Sequence, residues 1–307
     1  MRATYSPFPI SQINLNAGPS PLPLGPLLEA ANSLISFPPT PGMGVAEISH
    51  RSAAFQQVID AAEADLRALL AIPPNYQVLW MQGGGFTQFA ATVLNAVAAY
   101  RIRNQSAPAD EVVGEYVVTG SWSAKALEEG ERMGITARKI ADGKKAGGGK
   151  FKGVPGVADW DLAAHSGAAG GPKAKPAFVY YCDNETVDGV EFPAGSFPFD
   201  KIDPDVPVVC DMSSNFLSRP VDVSKYGIIY AGAQKNLGPS GVTVVIVRDD
   251  LLGKRAGSWS CMRKPREVRA ASRFKLNADP PPCLVGVGSQ LTSTLPCRSV
   301  ARAFPRC

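Results

Sequence analysis

Between residues 50 and 250, apolar runs of strand length alternate with stretches of helical period, and that alternation confines the chain to an α/β sheet flanked by helices. Gln77–Met81, Glu115–Thr119, Phe178–Tyr181, Val206–Cys210, Ile228–Tyr230 and Val242–Val247 read as strands. Ser52–Leu70 places Phe55, Val58, Ile59, Ala62, Leu66, Leu69 and Leu70 on one helical stripe, which Pro73-Pro74 stops. Gly83-Gly84-Gly85 is the turn after the first strand, and Phe86–Ala99 reads as the helix that follows it. The chain shows no internal repeat.

Composition narrows the class. With 45% hydrophobic and 19% charged residues among 307, the chain reads as a soluble globular protein. No apolar stretch approaches the roughly 18 uncharged residues of a membrane span. The first twenty residues contain one Arg but no apolar core of signal-peptide length, so a cytoplasmic location is the expectation. The net charge of +4 conceals an asymmetry: residues 1–253 carry 20 Lys+Arg against 25 Asp+Glu, and residues 254–307 carry 11 against 2. Gly253-Lys254 is therefore read as a boundary between a large domain, 1–253, and a basic tail, 254–307. The tail holds four of the six cysteines at spacings that fit no zinc pattern, and it has no regular period. It reads as a poorly ordered basic extension. Its few aromatics give no support to nucleic-acid binding.

Residues 141–176 break the alternation with Gly, Ala and Lys, and the segment is expected to be a surface insertion too poor in large apolar groups to pack. His165 inside it is expected to be solvated.

Chemistry gathers at the strand ends, where open α/β sheets collect ligands. Gly83–Gly85, at a strand-to-helix turn, has the geometry of a phosphate site, although a tight turn without ligand is at least as common. Trp122 follows another strand and offers a flat ring for stacking, or a cap on the core. Thr186, beyond Phe178–Tyr181, is either a hydroxyl donor or a turn residue. Arg51, next to His50 ahead of the long helix, suits bidentate pairing with a carboxylate or phosphate; a solvated surface arginine is the alternative. Asp211 ends one apolar run and Lys235 lies just past the next. A carboxylate and an amine delivered by two buried strands are what pyridoxal phosphate requires, the amine for a Schiff base with its aldehyde and the carboxylate to keep its pyridine nitrogen protonated.

Seven motifs bear a family resemblance: Asn16-Ala17-Gly18-Pro19-Ser20, Glu47-Ile48-Ser49-His50-Arg51-Ser52, Gln82-Gly83-Gly84-Gly85, Thr119-Gly120-Ser121-Trp122-Ser123, Cys182-Asp183-Asn184-Glu185-Thr186, Cys210-Asp211-Met212-Ser213-Ser214 and Ala231-Gly232-Ala233-Gln234-Lys235-Asn236. In order and spacing they resemble the phosphoserine aminotransferases, from about residue 12 to Gly253. The resemblance implies the large domain of a fold-type I, class V enzyme dependent on pyridoxal 5'-phosphate, with a mixed, mostly parallel sheet, normally a cytoplasmic homodimer. It implies Lys235 as the Schiff-base lysine and proton carrier, Asp211 at the pyridinium nitrogen, Trp122 stacked on the ring and Thr186 at its phenolic oxygen. Gly85, Phe86 and Gln234 would hold the phosphate, and His50 and Arg51 the acidic groups of the substrate. The implied reaction joins glutamate and 3-phosphohydroxypyruvate to O-phosphoserine and 2-oxoglutarate.

The family continues past Gly253 into a small C-terminal domain, so that domain is expected to be incomplete here, leaving apolar surface of the large domain uncovered. The tail reads as an altered reading frame, a retained intron or a truncated gene. Two other readings stay open: another class V enzyme, such as a cysteine desulfurase or an alanine–glyoxylate aminotransferase, and an impaired relative that binds the cofactor weakly or not at all.

Overall fold

The computed structural model describes residues 14–104, 112–165 and 175–252. The basic tail, 254–307, lies outside them. In chain order the main elements are α1 (Leu24–Ile35), α2 (Ala53–Leu70), β1 (Tyr76–Met81), α3 (Gly84–Arg103), β2 (Val113–Val118), α4 (Ser121–Arg132), β3 (Thr136–Asp142), α5 (Gly143–Ala146), β4 (Phe178–Cys182), β5 (Asn184–Glu185), β6 (Val190–Glu191), β7 (Val208–Asp211), β8 (Ile228–Gly232) and β9 (Thr243–Arg248).

Seven strands form one sheet in the order β1-β9-β8-β7-β4-β2-β3, and β5 and β6 make a small separate hairpin. β9 pairs antiparallel with both β1 and β8, while the remaining neighbours are parallel. Every strand of the sheet except β9 therefore runs in one direction. The sheet is mixed and mostly parallel, as expected.

The strands read as continuous apolar runs because both faces of the sheet are covered. Alternate residues divide between two cores. One takes Val117, Val179, Tyr181, Cys210, Ile229 and Ile246 together with Leu66 and Leu70 of α2. The other takes Tyr116, Phe178, Tyr180, Val209, Tyr230 and Val245 together with Phe89, Val93 and Ala96 of α3. Valine, isoleucine and tyrosine suit this surface because branched and aromatic side chains fill it at little rotamer cost. No helix among the described residues is long and apolar enough to cross a membrane.

Ser52 caps α2, its hydroxyl accepting from Phe55 N at 3.2 Å, and the helix ends at Leu70 before Ala71 in the left-handed region. The helix falls where its period predicts, but its stripe is not buried as one face. Leu66 and Leu70 are core residues, whereas Leu69 is 72% and Val58 37% exposed. Helix α1 buries none of its residues. Period locates an apolar face; it does not supply the partner that covers it.

The segment 141–176 departs further from expectation. Its first two residues complete β3, a strand the sequence reading missed because Arg138 and Lys139 interrupt it. Trp160 is buried against Phe197, its indole donating to Pro155 O at 3.2 Å, and Val154 and Leu162 pack on the same core. His165 is not solvated. Its side chain is fully buried, with Nε2 2.6 Å from Glu115 Oε2 and Nδ1 accepting from Asp203 N at 3.2 Å. Three apolar side chains suffice to dock a glycine-rich segment, and a buried carboxylate in the middle of β2 draws the imidazole in.

Candidate functional site

The carboxyl ends of β1, β2, β4, β7 and β8 lie on one edge of the sheet because these strands run the same way. Every strand-end residue singled out from the sequence lies on that edge, and a run of contacts joins them. Gly83 caps α3 at φ 96°, a conformation open to glycine, and a Cβ there would meet Thr87 Oγ1 at 2.2 Å. The next amide, Gly84 N, donates to Thr243 Oγ1 at 3.1 Å. Gly85 faces the Asp211 carboxylate, since a Cβ on it would lie 3.7 Å from Oδ2. Phe86 packs edge-on against Trp122 with ring centroids 6.0 Å apart, and the Lys125 ammonium lies 4.6 Å from the indole centroid.

Trp122 is held through its backbone. Glu185, fully buried in the β5–β6 hairpin that follows β4, accepts from Trp122 N at 2.7 Å and Ser123 N at 2.9 Å, while Asp188 accepts from Ser121 N at 2.6 Å. The start of α4 is thus capped by two carboxylates some sixty residues along the chain, Gly120 having no side chain to do it. Any side chain on Gly120 would collide with Glu185, whose atoms lie 2.5 Å from the would-be Cβ. Thr186, next to Glu185, is exposed and 3.4 Å from Asn184 Oδ1, which in turn accepts from Ser214 Oγ at 2.9 Å.

Asp211 ends β7 and is only 4% exposed. Its Oδ1 accepts from Ser213 N at 2.8 Å. Burial pushes its pKa up, and hydrogen bonding from Ser213 acts against that rise. Among the described residues no Lys, Arg or His pairs with it. A buried carboxylate held only by neutral donors retains its capacity to pair with a cation, which fits the protonated ring nitrogen of pyridoxal phosphate.

Ser213 links Asp211 to the next strand, its hydroxyl accepting from Gly232 N at 3.1 Å. Two residues on, Gln234 folds its amide back against Gly232, leaving no room there for a Cβ. Lys235 Nζ donates to Ala17 O at 2.6 Å, and Ser20 braces the same turn by donating its amide to Gln234 O at 2.9 Å and its hydroxyl to Lys235 O at 2.6 Å. Gly18 passes over the lysine so closely that a Cβ would lie 2.8 Å from Nζ.

Gly85, Phe86, Trp122, Thr186, Asp211, Gln234 and Lys235 are therefore assembled along one edge. His50 and Arg51 are not. They occupy an exposed turn ahead of α2, where Arg51 N donates to Ser49 Oγ at 3.2 Å. The residues that sequence reasoning left without a role are the supports: Glu185 and Asp188 for α4, Ser213 for Asp211, Thr243 for Gly84, and Ser20 for Lys235. Glu185, Ser213 and Ser20 lie inside the quoted motifs, so their proximity to a site residue was the available signal.

The aminotransferase class-V family profile matches residues 14–263, running on past Gly253. The chain is 47% identical over 248 residues to phosphoserine aminotransferase of Drosophila melanogaster, covering 79% of this chain and 58% of that protein. The structure of phosphoserine aminotransferase from Bacillus circulans subsp. alkalophilus is 37% identical with a TM-score of 0.62, covering 78% of this chain and 58% of that one. The pyridoxal-phosphate-bound enzyme from Trichomonas vaginalis is 32% identical with a TM-score of 0.63, covering 87% of this chain and 66% of that one. The chain thus spans less than two thirds of the length of these relatives. The chain belongs to the class-V aminotransferases.

Proposed function

We propose that this chain carries the pyridoxal-phosphate half of a phosphoserine aminotransferase, which moves an amino group between glutamate and 3-phosphohydroxypyruvate to give O-phosphoserine and 2-oxoglutarate. The observation that carries this reading is that Lys235 and a buried Asp211, which has no cationic partner among the described residues, lie on the same edge of the sheet. Bound pyridoxal phosphate supplies an aldehyde and an electron-withdrawing ring. The residues of the chain do the rest. Asp211 places a negative charge where the ring nitrogen would be. Trp122 offers its indole face, fixed by the Glu185 grip on its backbone. The first-turn amides of Gly85 and Phe86, at the positive end of α3, suit a phosphate, and the Gln234 amide adds a donor. Thr186 provides a hydroxyl at the ring's rim. The Lys235 amine would take the proton from the substrate α-carbon and deliver it to the carbon that was the cofactor's aldehyde.

His50 and Arg51 are the proposed receivers of the acidic groups of phosphoserine and glutamate, a role that suits an arginine left exposed. The proposal extends to a cytoplasmic homodimer, as the resemblance implies. An assay of the purified chain with pyridoxal phosphate, glutamate and 3-phosphohydroxypyruvate tests the reading, with O-phosphoserine and 2-oxoglutarate as the expected products. Bound cofactor with transfer only to glyoxylate, or with sulfur release from cysteine, would assign the chain to another branch of class V. Bound cofactor without any turnover would identify the impaired relative.

A further inference from the structure

β9 runs against the other strands of the sheet, so it brings its amino end to the edge where they bring their carboxyl ends. Its first residue, Thr243, is register partner to Met81, the last of β1, and to Gly232, the last of β8. Met81 leads through Gln82 into the glycine turn and α3, and Gly232 leads through Ala233 into Gln234 and Lys235. Thr243 thus stands between the turn that suits the cofactor phosphate and the segment that carries the Schiff-base lysine of the proposed reaction.

A hydroxyl is out of keeping with this strand. The next four residues, Val244-Val245-Ile246-Val247, are apolar and 0–1% exposed, and Thr243 itself is 0% exposed. Valine would fill nearly the same volume there. A buried hydroxyl is costly unless it is bonded, and this one accepts from Gly84 N at 3.1 Å. Gly84 opens α3, whose cap, Gly83, has no side chain to take up a first-turn amide. The turn also lacks stiffness of its own, since Gly83 and Gly84 both hold positive φ, 96° and 63°. Thr87 braces it from within α3, donating its hydroxyl to Gly83 O at 3.0 Å, and Thr243 ties it to the sheet. Fixing the Gly84 amide aims the two that follow, those of Gly85 and Phe86.

We propose that Thr243 is a positioning residue for the phosphate end of pyridoxal phosphate: through Gly84 it holds the glycine turn in register with Lys235, so that one ligand meets both. The inference rests on the pyridoxal phosphate reading and adds to it a residue from the one strand that reaches this edge by its amino end.

The test uses the full chain as Thr243→Val and Thr243→Ala, which remove the hydroxyl, and Thr243→Ser, which restores it. Each is checked by thermal melting, then titrated with pyridoxal phosphate and with pyridoxal, which lacks the phosphate, by near-visible absorbance. The readout is the ratio of the two affinities, because partial unfolding weakens both ligands equally and leaves the ratio unchanged. Loss of one neutral hydrogen bond behind the phosphate amides should lower that ratio roughly fivefold in Thr243→Val and Thr243→Ala. Thr243→Ser should keep it within about twofold of the parent. A ratio unchanged in the hydroxyl-free variants, whether both ligands weaken together or neither does, overturns this inference alone, as does a Thr243→Ser variant that behaves like Thr243→Val. A parent chain that takes up neither ligand overturns the cofactor reading and this inference with it.

Discussion

The sheet with its carboxyl edge and the amino-terminal layer made by α1 and α2 are built from similarly apolar sequence, yet they end in opposite states. In the sheet, side chains such as Phe178, Val179, Val209 and Tyr230 are fully enclosed, and the buried Tyr180 and Tyr230 hydroxyls pair with each other. In the amino-terminal layer, Leu27, Leu34, Ile35 and Leu69 remain 44%, 58%, 78% and 72% exposed. A sheet of parallel strands covers itself, because each crossover returns a helix to one of its faces. A helix laid on the outside depends on something else to cover its stripe, and nothing in the structure shows what that is. Stability and the candidate site therefore reside in the sheet, while α1 is an apolar surface left open.

The largest expected effect tests the sheet. Phe178→Ala should lower unfolding free energy by about 3–5 kcal/mol, read as a shift in denaturant midpoint, because the cavity lies between strands that cannot close over it. A loss near 1 kcal/mol would mean that this core relaxes freely, and the contrast with α1 would fail. Glu185→Gln follows. The neutral amide keeps one acceptor for the two amides of Trp122 and Ser123, so a loss of about 1–3 kcal/mol is expected, together with a shift in tryptophan emission. Unchanged emission would mean that α4 holds Trp122 without the carboxylate.

The next effect depends on pH. Burial lowers the His165 pKa below its ordinary value of 6.5, so the unfolded chain takes up the proton first. The stability that neutral His165 provides is complete above about pH 6.5 and is lost as pH falls toward the folded value, at about 1.4 kcal/mol per unit. His165→Gln keeps a donor and an acceptor but cannot titrate, so the stability difference between parent and variant should shrink or reverse between pH 7 and 5. A difference that stays constant across that range would contradict a buried neutral imidazole. The smallest effect belongs to the outer layer: Leu27→Ala should change stability by less than about 0.5 kcal/mol in the isolated chain. A larger loss would show that α1 is covered after all.

The same contrast separates what could be read in the sequence from what could not. Six strands were legible because burial on both faces writes an unbroken apolar run, and the site was legible because an open sheet presents its strand ends together. β3 escaped because an edge strand carries charge, here Arg138 and Lys139. The docking of Trp160 and the burial of His165 escaped because their partners, Phe197 and Glu115, are far along the chain, and local composition reports nothing of them. His50-Arg51 had the right chemistry for a ligand, but its turn is not joined to the edge by any strand.

The central claim is that Asp211 and Lys235 make this edge a pyridoxal phosphate site. The measurement that tests it most directly is the absorbance spectrum of the purified chain titrated with pyridoxal phosphate, beside Lys235→Ala. The account predicts a near-visible band in the parent that glutamate bleaches and that the variant lacks. A folded parent with no band, or a band of equal strength in Lys235→Ala, would contradict it.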